Sequence, residues 1–190
     1  MRRIRYSVVA SLDGFIAGPN GEHDWIRPDP DFDFGALFKQ FDTILAGRGT
    51  FEPMAAAGRT SMPGMKTIVI SKTLRQEDYP DVTIIPGIEP LSNLKSAPGK
   101  DIWLFGGGSL FRSLATAGLV DTVELSIQPV LLGVGIPLAP HLPARIHLSL
   151  ASHSVRPSGV VSLEYAIRPT SPESAPAPSS QSPQTAPPAP

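Results

Sequence analysis

The chain has 190 residues, with 16 Lys and Arg against 17 Asp and Glu and no cysteine. Its near-neutral charge, without runs of like charge, argues against nucleic acid or a membrane surface as a partner, and the lack of cysteine excludes disulfides, thiolate metal sites and cysteine nucleophiles. No stretch approaches the roughly 20 apolar residues that span a bilayer, and the first residues lack the apolar core and cleavage site of a secretory signal. We therefore expect a soluble, cytoplasmic protein.

Composition divides the chain into two parts. Residues 169–190 consist almost entirely of Pro, Ala, Ser, Gln and Thr. A segment of this kind buries too little apolar surface to offset the entropy that it loses on ordering. We expect one domain over residues 1–168, which is long enough for a sizeable core, followed by a disordered tail over 169–190. A partner-binding polyproline arm is the alternative for the tail.

The N-terminal region predicts a strand and a long loop. Residues 4–10 form an apolar run that is typical of a strand buried on both faces. Loop residues 11–25 contain several turn signals and apolar side chains, and irregular loops of this length are usually functional. Asp13 in this loop is a candidate catalytic residue, although a turn role beside Gly14 accounts for it equally well.

A helix is predicted next, because apolar residues recur at helical spacing. Asp29 or Asp31 is expected to cap this helix, with Pro30 near its start. The four apolar residues of the pattern are expected to face the core: Phe34, Leu37, Phe38 and Phe41.

The next two predicted strands, at 43–46 and 67–70, end in residues that suit an anion. These residues are Gly47, Arg48, Thr50, Ser71 and Lys72. A guanidinium beside a helix N-terminus can hold a phosphate by two parallel hydrogen bonds, and Thr50 is expected to cap the helix that follows Arg48. Taken singly, Arg48 is more commonly an ordinary surface arginine, and a solvated loop lysine is the alternative for Lys72.

A glycine-rich junction carries a further anion signal. In DIWLFGGGSLFRSLATAG, residues 101–118, an apolar strand at 102–105 runs into three consecutive glycines, and Ser109 opens an amphipathic helix. Such a junction directs backbone N–H groups and the positive end of a helix dipole toward one spot, where a phosphate fits. The dinucleotide fingerprint G-x-G-x-x-G and the Walker P-loop are both absent, so a glycine turn without a ligand is the alternative for this stretch alone.

Three predicted strand ends therefore bring anion-binding groups together. In open α/β sheets, ligands bind outside the carboxyl ends of the strands. The groups that follow strands 43–46, 67–70 and 102–105 are expected at one such edge. Because all three strand ends carry groups that suit an anion, one shared ligand explains them better than three separate structural roles. The sequence therefore favours a phosphate-bearing cofactor.

The pattern changes after residue 118. Apolar and polar residues alternate over 123–127, and segments 146–155 and 160–167 predict an antiparallel hairpin with a turn at 156–159. The sheet is thus expected to begin mostly parallel and to finish with antiparallel strands. No metal site is predicted, because the four histidines lack the spacing of a helical ligand pair.

Six motifs, taken in order, resemble the dihydrofolate reductase-like superfamily: SLDGFIA, DW, ILAGRGTFE, TIVISK, IWLFGGGSLF and VELSIQPVLLGVGIPL. The chain is most similar to the group that contains the reductase domain of the bifunctional riboflavin-biosynthesis deaminase-reductase and its stand-alone relatives, over about residues 3–168. The resemblance implies an α/β fold of the dihydrofolate reductase type, a three-layer sandwich with a mostly parallel mixed sheet and a C-terminal antiparallel hairpin. It also implies a homodimer, for which the apolar hairpin at 146–167 is suited.

The resemblance implies NADPH as the cofactor, bound along the strand ends. Arg48 would lie near the 2′-phosphate that separates NADPH from NADH, and Ser71 and Lys72 would lie on the adenosine side. The glycine turn would hold the pyrophosphate, and the end of the first strand would lie beside the nicotinamide. The full set of implied cofactor residues is Val9, Ala10, Ile16, Gly47, Arg48, Thr50, Ser71, Lys72, Gly106, Gly107, Gly108 and Ser109.

On the substrate side, the resemblance implies Trp25 and Asp31 or Asp33 as pocket residues. The absence of His-x-Glu with Pro-Cys-x-x-Cys excludes the zinc deaminase module of the bifunctional enzyme. We therefore expect an NADPH-dependent reductase that transfers hydride to a small polar, pterin- or pyrimidine-like substrate, with Asp13, or a water that it holds, as the proton source. A genuine dihydrofolate reductase and an NADP(H)-binding module without turnover are the alternatives.

Overall fold

The computed structural model describes residues 1–30 and 32–168, so that Asp31 and the predicted tail at 169–190 lie outside the described residues. The strands are β1 (Ile4–Ser11), β2 (Phe15–Ala17), β3 (Phe41–Gly47), β4 (Lys66–Ile70), β5 (Thr83–Ile85), β6 (Asp101–Gly106), β7 (Thr122–Gln128), β8 (Ile136–Pro137), β9 (Leu148–Val155) and β10 (Val161–Ile167). The helices are α1 (Phe34–Phe38), α2 (Arg48–Ala56), α3 (Leu91–Ser96) and α4 (Gly108–Thr116), with a short 3-10 turn at Gln76–Asp78.

Eight of the strands form one twisted sheet in the order β5-β4-β3-β6-β1-β7-β10-β9. Neighbouring strands from β5 to β7 run parallel, whereas β10 is antiparallel to both β7 and β9. The predicted mixed sheet with a C-terminal antiparallel hairpin is therefore confirmed. The structure adds a small antiparallel ribbon of β2 and β8, which the sequence pattern did not indicate.

Apolar side chains cover both faces of the sheet and give the domain its three layers. On one face, α3 and α4 pack on the central strands, where the rings of Tyr6 and Phe111 stack with centroids 4.2 Å apart. On the other face, α1 and α2 cover a second pair of clusters, in which Phe41 stacks on Trp103 at 5.3 Å. No helix within the described ranges has the length and apolar character needed to cross a membrane.

The start of α1 differs from the prediction. Its N-cap is Asp33, whose carboxylate accepts a hydrogen bond from the backbone N–H of Ala36 at 2.8 Å. The predicted caps were Asp29 or Asp31, which lie too early in the chain for a helix that begins at residue 34. Aspartates at alternate positions are equally good caps locally, so the path of the chain decides which one acts.

Two further local predictions were wrong. Phe41 lies in β3 rather than in the helix, and Phe34 is 57% exposed instead of facing the core. Helix α2 begins at Arg48 with Gly47 as its N-cap, so Thr50 lies inside the first turn and does not cap the helix. Because α2 starts two residues before the predicted cap, its first N–H groups lie closer to the end of β3.

Candidate active site

The three predicted anion-binding strand ends are neighbours in the sheet, because β4, β3 and β6 are adjacent in that order. Gly47 is the ladder partner of Ile70, and Ala46 is the partner of Gly106. The three strands therefore end at the same level. The residues that follow them, including Arg48 and Ser71, start from one edge of the sheet.

Two helix N-termini stand at this edge. Helices α2 and α4 start directly from β3 and β6, with Gly47 and Gly107 as their N-caps. Neither helix receives a side-chain capping bond from the described residues. The N–H groups of both first turns, and the positive ends of both helix dipoles, therefore lie at the same edge of the sheet. Arg48 and Ser109, near the starts of the two helices, are both exposed.

Thr50 packs against the glycine turn. The Gly106–Gly107 peptide is cis, and Gly106 has a φ of +150° that side-chain-bearing residues rarely adopt. A Cβ atom on Gly106 would lie 3.3 Å from the hydroxyl oxygen of Thr50, and one on Gly107 would lie 3.4 Å from it. The structure thus brings together Gly47 and Thr50 from one motif and Gly106 and Gly107 from another; their role toward a cofactor stays a prediction.

Gly108 has a different environment from the two glycines before it. A Cβ atom at this position would lie 2.5 Å from Cδ of Pro140 and 2.6 Å from the carbonyl oxygen of Pro137. Contact between the start of α4 and residues 137–140 therefore explains why Gly108 is a glycine. Its predicted role toward a pyrophosphate remains a prediction that concerns only its backbone.

Ser71 and Lys72 lie beside this edge with different surroundings. The buried Ser71 hydroxyl accepts hydrogen bonds from the N–H groups of Thr73 at 3.2 Å and Leu74 at 3.1 Å, and the Ser71 N–H donates to Ile85 at 2.9 Å. These bonds shape the turn after β4. Lys72 is exposed, so its ammonium is the more accessible group of the two.

The sheet divides at the carboxyl end of β1. Pairing between β1 and β6 reaches only Tyr6 and Leu104, whereas β1 stays paired with β7 as far as Ser11. A cleft therefore opens between the ends of β1 and β6. The predicted residues Val9 and Ala10 lie on the β1 side of this cleft.

Ile16 lies in a segment that folds back beside β1. It is the central residue of β2, which pairs with β8 and contacts β1. Its side chain is partly buried. The structure therefore keeps Ile16 near the same strand as Val9 and Ala10.

Asp13 joins two loops. Its exposed carboxylate accepts hydrogen bonds from the Ser11 hydroxyl at 2.6 Å, from the Gly133 N–H at 2.7 Å and from the Leu132 N–H at 3.1 Å. The hydroxyl of Ser11 and the amide of Gly133, the two largest favourable contributions, hold the pKa of Asp13 below its ordinary value. A low pKa favours the ionised carboxylate and hence a role in positioning the loop after β7; direct proton donation by Asp13 stays a prediction.

The predicted substrate residues are separated in the structure. The indole N–H of the partly buried Trp25 donates to the carbonyl of Glu22 at 3.1 Å, and Asp33 caps α1 as described. Asp31 falls outside the described residues. Neither Trp25 nor Asp33 lines the cavity described next, so their assignment to the substrate stays a prediction.

A cavity of about 260 Å³ lies on the polar face of β1, β7, β10 and β9, and Phe32 and Leu37 contribute apolar contacts to it. We call it the polar cavity. Ladder pairs Ser162–Ser126 and Glu164–Glu124 set these side chains on the same face of the sheet. Its polar lining residues are Ser7, Glu124, Ser126, Ser152, His153, Ser154, Arg156, Ser162 and Glu164.

Sequence reasoning missed the polar cavity. Polar residues alternate with apolar ones along β7 and β10, and such alternation is typical of a face exposed to water. What distinguishes this face is the approach of the segment around α1, which requires a long-range contact. The one local signal was the repetition of serine and glutamate on two strands, β7 and β10, which the structure shows to be paired.

Comparison with known proteins agrees with this architecture. The model of the RibD C-terminal domain matches residues 2–162. The uncharacterized protein YyaP of Bacillus subtilis (strain 168) is 40% identical over 177 residues, which cover 86% of this chain and 94% of that protein.

Two solved structures share the fold. A diaminohydroxyphosphoribosylaminopyrimidine deaminase/5-amino-6-(5-phosphoribosylamino)uracil reductase from Thermotoga maritima superposes with a TM-score of 0.67 at 14% identity, covering 88% of this chain and 57% of that one. A dihydrofolate reductase from Enterococcus faecalis, complexed with NADP(H), superposes with a TM-score of 0.63 at 19% identity, covering 87% and 94%.

Proposed function

The chain belongs to the RibD C-terminal domain family, and on this premise we propose that it is an NADPH-dependent reductase that transfers hydride to a small polar substrate. The observation that carries the proposal is the pair of adjacent helix N-termini at the ends of β3 and β6. Both are capped by glycine without a side-chain bond, and Arg48 is the first residue of one of them. Two such N-termini and a guanidinium suit the phosphates of a dinucleotide.

The residues present fit this cofactor. Arg48 would bind the 2′-phosphate of NADPH, with Lys72 on the adenosine side. The first N–H groups of α4 would bind the pyrophosphate beside Thr50, and the cleft at Val9 and Ala10 would take the nicotinamide. When bound there, NADPH supplies the hydride, and the chain contributes orientation and electrostatics.

The polar cavity is the proposed substrate site. Val9, beside the cleft, is the ladder partner of Ser126, which lines the cavity. The cleft and the cavity are therefore one strand apart, so a substrate in the cavity would lie close to the nicotinamide. The cavity volume of about 260 Å³ lies just below the roughly 300–1,000 Å³ of most ligand pockets, so the cavity suits a small heterocycle. A pyrimidine- or pterin-like substrate agrees with this size and with the polar lining.

The proton that completes the reduction has two candidate sources, Asp13 and a water. The lowered pKa of Asp13 keeps its carboxylate ionised near neutral pH, and its hydrogen bonds go to the loop after β7. We therefore assign the proton to water, with Asp13 as the residue that positions the loop. A homodimer is the proposed assembly, supported by the apolar side chains exposed on β9.

Thermal unfolding with and without nucleotide tests the cofactor. Saturation at 100 times the dissociation constant stabilises a native state by about 2.7 kcal/mol, so NADPH should raise the unfolding temperature clearly and NADH at the same concentration should raise it less. Loss of NADPH absorbance then serves as the screen for substrates. If neither nucleotide shifts the transition, the reductase proposal is wrong.

The same screen separates the alternatives. Turnover of dihydrofolate would identify a dihydrofolate reductase. Binding of NADPH without oxidation by any pyrimidine, pterin or dihydrofolate would favour a binding module without turnover. The Asp33 carboxylate already accepts a hydrogen bond as the N-cap of α1, so it is less available to bind a pterin ring. We therefore expect dihydrofolate to be a poor substrate.

A further inference from the structure

We propose that Arg156 is a positioning residue of the polar cavity: it holds Phe32 in the apolar wall against which a planar, unsaturated heterocycle binds. The inference rests on the proposed function, because it takes the ligand of the cavity to be the reductase substrate. It goes further in naming the side chain that shapes the substrate site and in requiring a flat ring in the substrate.

The polar cavity combines two kinds of surface. The sheet contributes serine and glutamate side chains, whereas Phe32 and Leu37 contribute apolar contacts from the segment around α1. A planar heterocycle carries N–H and C=O groups along its edge and an apolar ring between them, so it can use both surfaces at once. Phe32 favours a flat ring over a saturated one, because ring pairs gain energy beyond their buried area. The position of Phe32 therefore affects which ligands bind.

Local structure alone does not fix the position of Phe32. The residue lies outside the helices and strands, just before α1, which has only five residues. All five residues of α1 are described, and none of them is buried. So short a helix is marginal without tertiary contacts. Long-range side-chain contacts are therefore needed to hold Phe32 against the sheet.

Arg156 supplies such contacts. Its guanidinium lies 4.6 Å from the centroid of the Phe32 ring, a cation–π distance, and donates a hydrogen bond of 3.0 Å to the Asp29 carboxylate, 127 residues away. The hydroxyl of Ser158 donates to the same carboxylate at 3.4 Å. The Phe32 N–H donates to the Asp29 carbonyl at 3.1 Å, so Arg156 contacts two residues of one turn. The Arg156 and Asp29 side chains are only 22% and 11% exposed, so salt screens their attraction weakly.

Arg156 is itself anchored in the sheet. It follows β9 at the start of the hairpin turn, where its N–H donates to the Val160 carbonyl at 2.9 Å and its carbonyl accepts from the Gly159 N–H at 2.9 Å. Strands β9 and β10 belong to the eight-stranded sheet that carries the polar side chains of the cavity. Arg156 therefore fixes the position of Phe32 relative to those polar groups.

Hydrogen exchange of the full chain tests the positioning role without a ligand. Arg156→Gln should raise the exchange rates of the amides of residues 32–38 roughly two- to tenfold, while the amides of β1 and β7 keep theirs. Arg156→Lys retains the charge opposite Asp29 and should restore part of the protection. Arg145→Gln makes the same change as Arg156→Gln at an exposed arginine and should leave the exchange rates unchanged.

Two pyrimidines test the preference for a flat ring. Uracil and 5,6-dihydrouracil carry the same N–H and C=O groups, but only uracil is flat and unsaturated. Ligand-observed NMR titration of the full chain, with and without NADPH, gives the dissociation constant of each. We expect uracil to bind roughly two- to tenfold more tightly.

Variants assign this preference to the apolar wall. Phe32→Leu keeps an apolar side chain without a ring and should remove the difference between the two pyrimidines. Phe34→Leu, at a neighbouring ring that is 57% exposed, should preserve it. Arg156→Gln should weaken uracil binding and leave the affinity for NADPH unchanged.

The outcomes separate this inference from the proposed function. If NADPH binds but uracil binds no more tightly than dihydrouracil, the inference is wrong while the reductase proposal stands. The same holds if Arg156→Gln leaves either the exchange of residues 32–38 or the uracil affinity unchanged. If both variants act on uracil as expected but neither nucleotide binds, the role of Arg156 is supported and the reductase proposal fails.

Discussion

The indole N–H of Trp103 donates a hydrogen bond of 2.8 Å to the backbone carbonyl of Ser7. The bond lies just beyond the last paired residues of β1 and β6, Tyr6 and Leu104. The Trp103 indole therefore supplies a hydrogen bond to a β1 carbonyl at the point where β6 is no longer paired with β1. This contact helps to define the cleft in which the nicotinamide is proposed to bind.

Replacing Trp103 by Phe keeps an aromatic ring against Phe41 but leaves the Ser7 carbonyl without its donor. Leaving a fully buried acceptor unsatisfied costs about 1–3 kcal/mol. The Ser7 bond is partly buried, so Trp103→Phe should lower the free energy of unfolding by about 1 kcal/mol in urea titrations. Trp25→Phe removes an indole bond to an exposed carbonyl and should change stability much less. Equal effects of the two variants would contradict the role given to the Ser7 bond.

Asp13 predicts a pH dependence of stability. Because the folded state lowers the pKa of Asp13, its ionised form contributes stability above the ordinary value of 3.8, and this contribution is lost as the pH falls through the folded value. Asp13→Asn should therefore be less stable than the wild type at pH 7, with a difference that shrinks below about pH 4. Chemical denaturation at several pH values measures this.

A matched substitution isolates that effect. Asp81→Asn removes a charge from an exposed position and should give a small, nearly pH-independent change. If the two variants behave alike, the loop contacts of Asp13 contribute no stability. In that case a role for Asp13 in the chemical step becomes the better explanation of its position.

Gly108 should be intolerant of alanine for packing reasons. The added Cβ would meet Pro140 and the Pro137 carbonyl at 2.5–2.6 Å, and overpacking of this kind costs about 1–3 kcal/mol. Gly49→Ala in α2, where a Cβ meets nothing within 4 Å, should instead stabilise by up to about 1 kcal/mol. Thermal unfolding of both variants checks the opposite signs. Unchanged stability of Gly108→Ala would contradict this prediction, because it would mean that residues 137–140 can move to accommodate the added Cβ atom.

The exposed edge strand β9 should form the dimer contact. Leu148, Leu150 and Val155 are 38%, 53% and 70% exposed, and exposed apolar side chains on an edge strand favour association. We expect a dimer in sedimentation analysis. Leu150→Glu should be monomeric, whereas Leu131→Glu, at a loop leucine that is even more exposed, should still be dimeric. A monomeric wild-type protein at micromolar concentration would exclude this assembly.

The strands, and the meeting of the candidate anion-binding residues at one edge of the sheet, were predictable because their signals are local. Apolar runs indicated β1, β3, β4 and β6. The residues that follow these strands belong to short motifs that can be recognised from the sequence alone. The cap of α1 was not predictable in the same way, since neighbouring aspartates compete for one helix start and only the packing of the chain selects Asp33.

Features that depend on distant contacts were missed. The ribbon of β2 and β8 rests on very short segments that meet across more than a hundred residues. In the sequence, Gly108 indicated a phosphate site. In the structure, residues 137–140 occupy the space that a Cβ atom at this position would need. The alternating pattern of β10 is typical of a face exposed to water. In the structure, Phe32 and Leu37 lie against this face and form a cavity with it.

Under the proposed function, this chain binds NADPH in preference to NADH through Arg48. Fluorescence titration of both nucleotides against the wild type, Arg48→Ala and Arg59→Ala tests it most directly, because Arg59 is an exposed arginine just beyond the opposite end of α2. We predict that Arg48→Ala weakens NADPH roughly ten- to a hundredfold and leaves the affinity for NADH nearly unchanged, while Arg59→Ala changes neither. Retention of the full NADPH preference by Arg48→Ala would contradict the account.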